Sequence, residues 1–395
     1  MRERAQEILA FGLAGDLPNF QVDLNRLPST AEFVAGVIRE NYPDLEVPLH
    51  ARWRHFIFDG RDLWAETVRK AQWPDAQARA RAELDLAIVS VLLDAGAGPS
   101  WHYSDAATGL TVGRSEGLAL ATLRMFEVGL FSDDVRHPLR VDAKRLSTLT
   151  AGDLARGFAI SESNPMQGLN GRAVLLARLG RMMLESSQLF ALHDSPRPGG
   201  LYDRLTSIAS KNALPAPSIL HELLIHLGPI WPDRLTLGGL PLGDTWQHRI
   251  IKRDDSTNGL VPLHKLSQWL TYSLIEPLQH AGLIITDLDG LTGLAEYRSG
   301  GLFVDSGVII LRKPELASEA HAIDSELVVE WRALTIALLD RLLPLVRDML
   351  GVDKDVFPLG AMLEGGTWAA GRNIARQTRA DGSSPFKIIS DGTVF

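Results

Sequence analysis

The hydrophobic pattern is most regular between Pro262 and Asp305. At about 100° per residue on a helix, five leucines fall within roughly 120° of one another: Leu263, Leu266, Leu270, Leu274 and Leu278. The other side of this helix collects polar side chains: Lys265, Gln268, Tyr272 and Glu276. Because proline fits the first helical turn but removes an N–H from a helix interior, we predict a helix that starts at Pro262 and ends or bends at Pro277.

The polar side of this helix has two interpretations. An ordinary amphipathic helix would present it to water. Tyr272 and the neighbouring Trp269 are costly to expose, which favours a packed or ligand-binding face instead.

Two short apolar segments follow, LIIT at 283–286 and LFVD at 302–305, and both predict strands. A glycine-rich loop between them carries Glu296, Tyr297 and Arg298. Two charged residues and a tyrosine in a glycine-rich segment are unusual in a packed core, but they are typical of a binding or catalytic loop.

Helical periodicity dominates the rest of the chain. Helices are predicted at 4–12, from a capping box at 29–32, and at 76–94, 115–128, 146–158, 201–210, 218–228 and 325–350, with another beginning at Arg172. The stretch 307–315 adds a strand candidate. We therefore predict a mainly α fold, with a helical body and a small β element near residues 283–311.

Composition limits the class of protein. The chain has 395 residues, of which 45% are hydrophobic, enough for a substantial core. Its net charge of −8 and pI near 5.8 provide no broad basic surface, so we expect no nucleic-acid partner. Cysteine is absent, which excludes disulfides, thiolate metal sites and cysteine nucleophiles.

The sequence predicts a cytoplasmic protein with no membrane partner. Its first residues, MRERAQEILAFGL, lack the apolar segment and cleavage site of a signal peptide. There is no run of about 18 apolar residues. The length fits one compact unit, or two lobes of about 1–160 and 161–395 with the site between them.

Two motif-like patterns fail on geometry. Gly96 and Gly98 follow a predicted helix, whereas a dinucleotide-binding loop opens one. His221 and His226 are five residues apart, so they diverge by about 140° on a helix instead of sharing a zinc-binding face. We expect no cofactor and no metal.

Isolated polar residues mark further candidates for substrate binding. Asn164 lies in a polar loop that leads into the helix bearing Arg172, and helix N–H groups beside a guanidinium suit an anion, although a plain turn is the alternative. Other candidates lie in aromatic-rich, turn-rich or glycine-rich segments: His55, Trp246, Glu364 and Arg372.

Four segments carry a family resemblance: SNPMQGLNGRAVLLARLG, HKLSQWLTYSLIEPL, LAEYRSGGLFVD, and LEGGTWAAGR with SDGTVF. Over nearly its full length the chain resembles the uracil catabolism protein 4 family of fungi and bacteria. That resemblance implies a pathway that opens the uracil ring after its attachment to ribose phosphate and finally yields urea. It implies a small ribosylated or ribose-phosphate substrate, and association with other uracil-catabolism enzymes.

A second resemblance concerns the reaction. Residues 265–268, 296–298 and 330–333 are similar in order and spacing to motifs of the queuosine-salvage N-glycosylases, which resemble helix-hairpin-helix DNA glycosylases. That family has aspartate where this chain has Glu296, and isoleucine where it has Trp331. The similarity implies a helix-hairpin-helix body and a catalytic carboxylate at Glu296.

The chemistry of N-ribosyl cleavage gives these residues roles. Because the transition state resembles an oxocarbenium ion, a carboxylate beneath the sugar stabilises it and orients water. Glu296 is the catalytic candidate, and Lys265 holds the carboxylate or the sugar hydroxyls. Arg298, Arg172 and Arg372 are available for a phosphate, while Asp305 or Glu364 would protonate the leaving urea.

The leading hypothesis is a metal-independent N-glycoside hydrolase that releases urea from ribosylurea or its phosphate. An amide-type hydrolase acting on the ring-opened pyrimidine is one alternative. A non-catalytic partner that channels intermediates to the ring-opening enzyme is another. DNA-glycosylase activity is disfavoured by the acidic charge.

Overall fold

The computed structural model describes residues 1–94, 96–98, 100–190, 195–231 and 235–389. The α-helices are α1 Arg2–Ala14, α2 Leu27–Asn41, α3 Leu63–Lys70, α4 Ala76–Leu92, α5 Arg114–Glu127, α6 Ala143–Ser147, α7 Ala151–Gly157, α8 Leu169–Glu185, α9 Ser187–Phe190, α10 Leu201–Ile208, α11 Ala216–Leu227, α12 Lys265–His280, α13 Tyr297–Asp305, α14 Glu326–Leu350, α15 Leu359–Met362 and α16 Trp368–Thr378. A π-helix, Leu363–Thr367, joins α15 to α16. The tail segment SDGTVF, residues 390–395, lies outside the described residues.

The strands are all two or three residues long. They are β1 Phe20–Val22, β2 Ile57–Phe58, β3 Arg61–Asp62, β4 His102–Ser104, β5 Thr111–Gly113, β6 Ala213–Pro215, β7 Thr236–Leu237, β8 Leu240–Pro241, β9 Thr245–Gln247, β10 Leu260–Pro262, β11 Ile284–Thr286, β12 Ile309–Leu311, β13 Ala320–Ala322 and β14 Lys387–Ile389. The prediction of a mainly α fold is confirmed.

The strands pair two by two. Antiparallel pairs are β1 with β12, β2 with β3, β4 with β5, β7 with β8 and β9 with β10, while β6 with β11 and β13 with β14 are parallel. The predicted β element near residues 283–311 is therefore divided between two sheets, because β11 and β12 have different partners.

The described chain forms two compact units, each built from separated segments. The first takes residues 1–50, 235–268 and 287–389, and the second takes 51–231 and 269–286. We name them the α14 unit and the α4 unit after their most buried long helices.

Helix α14 supplies the core of the α14 unit. The Ser325 hydroxyl caps it by accepting the N–H of Val328 at 3.4 Å, and Gly351 ends it in the left-handed conformation with φ 69°. Apolar residues at helical spacing form its buried stripe as far as Leu342: Leu327, Trp331, Leu334, Leu338 and Leu342. Beyond Pro344 the buried positions move by one residue, to Val346 and Leu350.

Helix α4 supplies the core of the α4 unit. Asp85 is fully buried on it, accepts the N–H groups of Val141 at 3.0 Å and Gly199 at 2.6 Å, and pairs with Arg197. Burial raises the pKa of Asp85 although Arg197 opposes this. The carboxylate thus ties two separated segments, at Val141 and at residues 197–199, to helix α4.

Two helix predictions are wrong in detail. Helix α2 begins at Leu27, before the supposed capping box, and the Ser29 hydroxyl donates to the Arg26 carbonyl at 2.9 Å. The predicted helix at 146–158 is divided into α6 and α7, because Thr150 caps α7 in a capping box with Asp153.

No helix among the described residues combines the length and apolarity that crossing a bilayer requires.

Candidate functional site

The polar face of α12 is packed, so its interpretation as a solvated surface is wrong. Gln268 and Tyr272 are both 0% exposed. Glu276 pairs with Arg54 at 2.7 Å, and partial burial raises the pKa of this carboxyl. Two helix limits also differ from prediction, because Pro262 lies in β10 and α12 continues through Pro277 to His280.

Glu296 is the N-cap of α13. Its Oε2 accepts the N–H of Arg298 at 2.5 Å, and its Oε1 accepts the N–H of Ser299 at 2.6 Å. These N–H groups lack partners within the helix, so a capping carboxylate satisfies them and lies at the positive end of the helix dipole. Glu296 is 8% exposed, and the two hydrogen bonds fix its carboxylate against the helix.

The predicted strand at 302–305 is wrong because these residues complete α13. The misleading signal was the pair of glycines at 300 and 301. A Cβ on Gly300 would come within 2.8 Å of Thr335 Oγ1 and Trp331 Nε1. The glycine therefore lets α13 pack closely against α14 instead of forming a flexible loop.

Tyr297 and Arg298 stack on each other in the first turn of α13. The Arg298 guanidinium carbon lies 4.9 Å from the centre of the Tyr297 ring, and its Nη1 donates to the Gly382 carbonyl at 3.0 Å. Arg298 is 8% exposed and Tyr297 is 37% exposed. Tyr297 is therefore the more accessible member of the pair.

An ion pair between Arg332 and Asp244 connects the start of α12 with the segment before Glu296. Burial acts to raise the pKa of Asp244, but Arg332 and the hydrogen bonds outweigh burial and lower it. The carboxylate also accepts the N–H of Lys265 at 2.9 Å and Nε1 of Trp246 at 2.6 Å. The sequence suggested Asp244 as a residue of a pocket wall within a turn-rich segment, but it did not indicate the ion pair with Arg332.

His264 was missed by sequence reasoning. It immediately precedes Lys265 and has a left-handed backbone with φ 47°, a conformation found at functional and strained positions. Burial lowers the pKa of its imidazole to about 4, which makes the ring neutral at pH 7. His264 opens the segment HKLSQWLTYSLIEPL, but a single histidine at a strand–helix junction gave no sequence signal of burial.

Glu364 lies in the π-helix, an irregularity that is frequent at functional sites. Its Oε2 is 2.6 Å from Nδ1 of His50. Trp368 follows, with the Arg372 guanidinium carbon 4.7 Å from its ring centre. The same segment contacts α13, because Thr367 Oγ1 lies 3.0 Å from Ser299 Oγ.

Two predicted site residues of the α14 unit have other partners. Both carboxylate oxygens of Asp305 accept hydrogen bonds from Arg379, at 2.7 and 2.6 Å. Trp246 is 4% exposed, with its Nε1 turned to Asp244.

The remaining candidates belong to the α4 unit. Arg172 donates to the carbonyls of Leu93 at 3.0 Å and Gln167 at 2.5 Å, and burial lowers its pKa to about 10. Asn164 exchanges two hydrogen bonds with the backbone of His102. These two side chains connect backbone segments of the unit.

Tyr272 and His55 also lie in the α4 unit. The His55 ring meets Trp269 edge to face at 5.7 Å, beside the buried ion pair of Arg52 and Asp94 at 3.0 Å.

Among the described residues, no three histidine, aspartate or glutamate side chains are grouped so that they could hold a metal ion. His226 instead contacts Glu222 at 3.0 Å, one turn earlier on α11.

Comparison with known proteins gives one family. The model of the family described as "Protein of unknown function (DUF1688)" matches residues 1–395. Protein urg3 of Schizosaccharomyces pombe is 39% identical over 406 residues, covering 100% of this chain and 96% of that protein. Uracil catabolism protein 4 of Lachancea kluyveri is 36% identical over 411 residues, covering 95% of this chain and 92% of that protein.

Proposed function

The chain belongs to the DUF1688 family, and we propose from this membership and from Glu296 that it is an N-glycoside hydrolase of uracil catabolism. Its substrate is ribosylurea or ribosylurea phosphate. Water adds to C1 of the ribose, the C1–N bond breaks, and the products are urea and ribose or ribose phosphate. The name of the Lachancea kluyveri relative supports the pathway, and the resemblance to queuosine-salvage N-glycosylases supports the choice of bond.

The proposed function depends mainly on the carboxylate of Glu296, which is fixed in position. As the C1–N bond lengthens, positive charge develops at C1 and the ring oxygen, and a nearby carboxylate stabilises that charge. Two backbone N–H groups already hold Glu296 in place, so little reorganisation is needed during the reaction.

The same carboxylate is suited to binding the attacking water. Each carboxylate oxygen has two lone-pair sites, and in Glu296 the helix backbone occupies one site on each oxygen. The other sites remain to accept a hydrogen bond from a water or a sugar hydroxyl. Glu296 would then orient the water and take up its proton.

We assign substrate binding to side chains of the α14 unit that follow Glu296 or lie in α16. Tyr297 offers a partly exposed ring beside Glu296. Arg372 stacks on Trp368 and is only partly buried, which suits a guanidinium that binds phosphate. Arg298 donates to a backbone carbonyl and is more deeply buried, so we assign it to holding α13.

Urea release from the purified protein tests the function. We expect ribosylurea or its 5-phosphate to yield urea, measured by a urease-coupled assay, and an equal amount of ribose or ribose phosphate, measured by mass spectrometry. Glu296→Gln should reduce kcat at least about 100-fold, because it removes the stabilising charge while conserving volume. Calorimetry should show substrate affinity within a few-fold of the wild type.

Asp75→Asn is the matched control. Asp75 is the N-cap of α4 and accepts the N–H of Ala78 at 2.6 Å, so this change also replaces a capping carboxylate by an amide. Its turnover should equal that of the wild type. A Glu296→Gln variant that keeps most of its rate would falsify the carboxylate assignment.

The reaction products distinguish the N-glycosidase from the two alternatives, an amide-type hydrolase and a non-catalytic channelling partner. An amide-type hydrolase would leave a product in which nitrogen is still attached to ribose. If the protein is a non-catalytic channelling partner, the ligand would bind and raise the melting temperature of the protein, but neither urea nor ribose would be released. Either result from folded protein would replace the N-glycosidase proposal.

A further inference from the structure

An open groove in the α14 unit lies between the segments that follow α2 and α14. Its volume is about 540 Å³, within the range of about 300 to 1,000 Å³ that binding pockets have. Six apolar and two acidic residues line it: Asp44, Leu45, Glu46, Val47, Pro48, Val352, Val356 and Phe357. We propose that this surface, the Val356 groove, binds a segment of a partner protein in which a bulky apolar side chain lies next to arginine or lysine. This role is separate from the proposed hydrolase activity.

Apolar side chains of graded exposure line the Val356 groove. Phe357 is buried, whereas Leu45, Val47 and Val352 are half-buried. Val356 is 71% exposed. Grouped apolar residues at the surface mark interaction sites, while singly exposed ones are ordinary. The grouping therefore favours an apolar side chain of a partner as the occupant.

Both walls of the groove are held by the body of the unit. Val47 packs against the π-helix so closely that a Cβ on Gly365 would lie 2.8 Å from its Cγ1. On the other wall, Arg347 donates from Nε to the Phe357 carbonyl at 2.8 Å and from Nη2 to Asp289 at 2.6 Å. A groove with fixed walls needs little ordering when a partner binds, which favours affinity.

The charge around the groove selects a basic partner. Asp44 and Glu46 line it and are exposed, and no cationic side chain among the described residues lines it. On the segment of the other wall, Asp353 and Asp355 are exposed on either side of Lys354. Carboxylates at the edge of an apolar groove attract a partner segment that carries arginine or lysine.

Two helix C-termini add to the negative potential. Helix α2 ends at Asn41 and α14 at Leu350, three and two residues before the first lining residue of each segment. The carbonyl end of a helix carries a partial negative charge and favours cations. Arg39 illustrates this preference, because its guanidinium donates to the Met349 carbonyl in the last turn of α14.

A second copy of this chain is a poor occupant, because it carries the same net charge of −8. We therefore commit to a different protein that presents a basic and apolar segment.

A library of random heptapeptides displayed on phage tests the chemistry of the partner. The full-length protein is the target at about 0.15 M salt. Peptides that also bind the groove variant Asp44→Asn/Glu46→Gln/Val356→Ser are removed. The enriched peptides should carry a net positive charge and an apolar residue next to arginine or lysine.

The groove variant should fold like the wild type, with an equal melting temperature. Asparagine at position 44 keeps the oxygen that accepts the Glu46 N–H at 3.1 Å, and Val356 is mostly in water.

Fluorescence anisotropy with one enriched peptide measures the charged and apolar contributions separately. Asp44→Asn/Glu46→Gln should raise Kd about 3- to 10-fold, and the effect should shrink as salt increases, because both carboxylates are exposed. Val356→Ser should raise Kd about 3-fold or more through lost apolar contact.

Matched controls lie in the α4 unit. Glu162→Gln/Glu185→Gln removes the same number of exposed carboxylates, and Val135→Ser changes a valine that is 96% exposed. Both controls should bind the peptide as the wild type does.

Three results would overturn the proposal. The first is enrichment of neutral or acidic peptides, and the second is the absence of any peptide that prefers the wild type over the groove variant. The third is dimerisation of the wild type in analytical ultracentrifugation that the groove variant abolishes, because the occupant would then be a second copy of the chain.

Discussion

Arg332 binds both carboxylate oxygens of Asp244, with Nη1 to Oδ1 and Nη2 to Oδ2 distances of 2.7 Å each. Nε of the same guanidinium donates to the Ala295 carbonyl at 3.1 Å, and Asp244 accepts the N–H of Lys265. One ion pair therefore connects the first residue of α12 to the residue that precedes Glu296. The ion pair thus holds the backbone next to both predicted catalytic residues.

Loss of Arg332 should strongly destabilise the protein. Arg332 is 1% exposed, so Arg332→Met leaves the Asp244 carboxylate without its cation in a largely buried place. We expect the free energy of unfolding, from denaturant titration, to fall by about 3 kcal/mol or more. Lys144→Met, which breaks the exposed pair with Asp133, should cause little change. A fall below about 1 kcal/mol in the Arg332 variant would contradict this prediction.

His264 should make stability depend on pH. Its pKa is about 4 in the folded protein and about 6.5 when unfolded, so between these values only the unfolded state binds the proton. This favours unfolding as pH falls below about 6.5, and stability is fully present above that pH. From pH 7 to pH 5 the loss due to His264 should be about 2 kcal/mol.

His264→Asn tests this effect, because asparagine tolerates the left-handed backbone at this position. Denaturant titrations at pH 5 and pH 7 should show a smaller difference in the variant than in the wild type. An unchanged difference would show that other groups are responsible.

Gly371→Ala should disturb the candidate site through packing. The added Cβ would overlap the Arg298 carbonyl, so α16 would have to move away from the first turn of α13. We expect a loss of about 1 to 3 kcal/mol in stability and a lower kcat. Gly36→Ala is the control, because Gly36 lies exposed in α2 with open space around a Cβ. It should stabilise by up to about 1 kcal/mol. Equal melting temperatures for both variants would contradict the packing argument.

Several features of the fold follow from local sequence alone. The spacing of apolar residues predicts α14 within one residue at its start, because a long core helix repeats its apolar positions over many turns and has a serine cap. The same periodicity identifies the leucine face of α12, all of which is buried. Family membership was also readable from motifs, because sequence similarity needs no tertiary information.

The candidate site was predictable only in part. Glu296 was singled out as a carboxylate, but its role as an N-cap was not, because Gly300 and Gly301 resemble loop glycines until the close packing against α14 is known.

Tertiary structure alone decided how the polar residues are paired. His50 and Glu364 are 314 positions apart, and Asp244 and Arg332 are 88 apart. The spacing of apolar residues predicts which face of a helix is buried. Burial of an apolar side chain requires no particular partner or direction, so local spacing is enough to predict it. A hydrogen bond or ion pair requires two particular atoms at about 3 Å in the right orientation. Only the packing of distant segments sets that geometry.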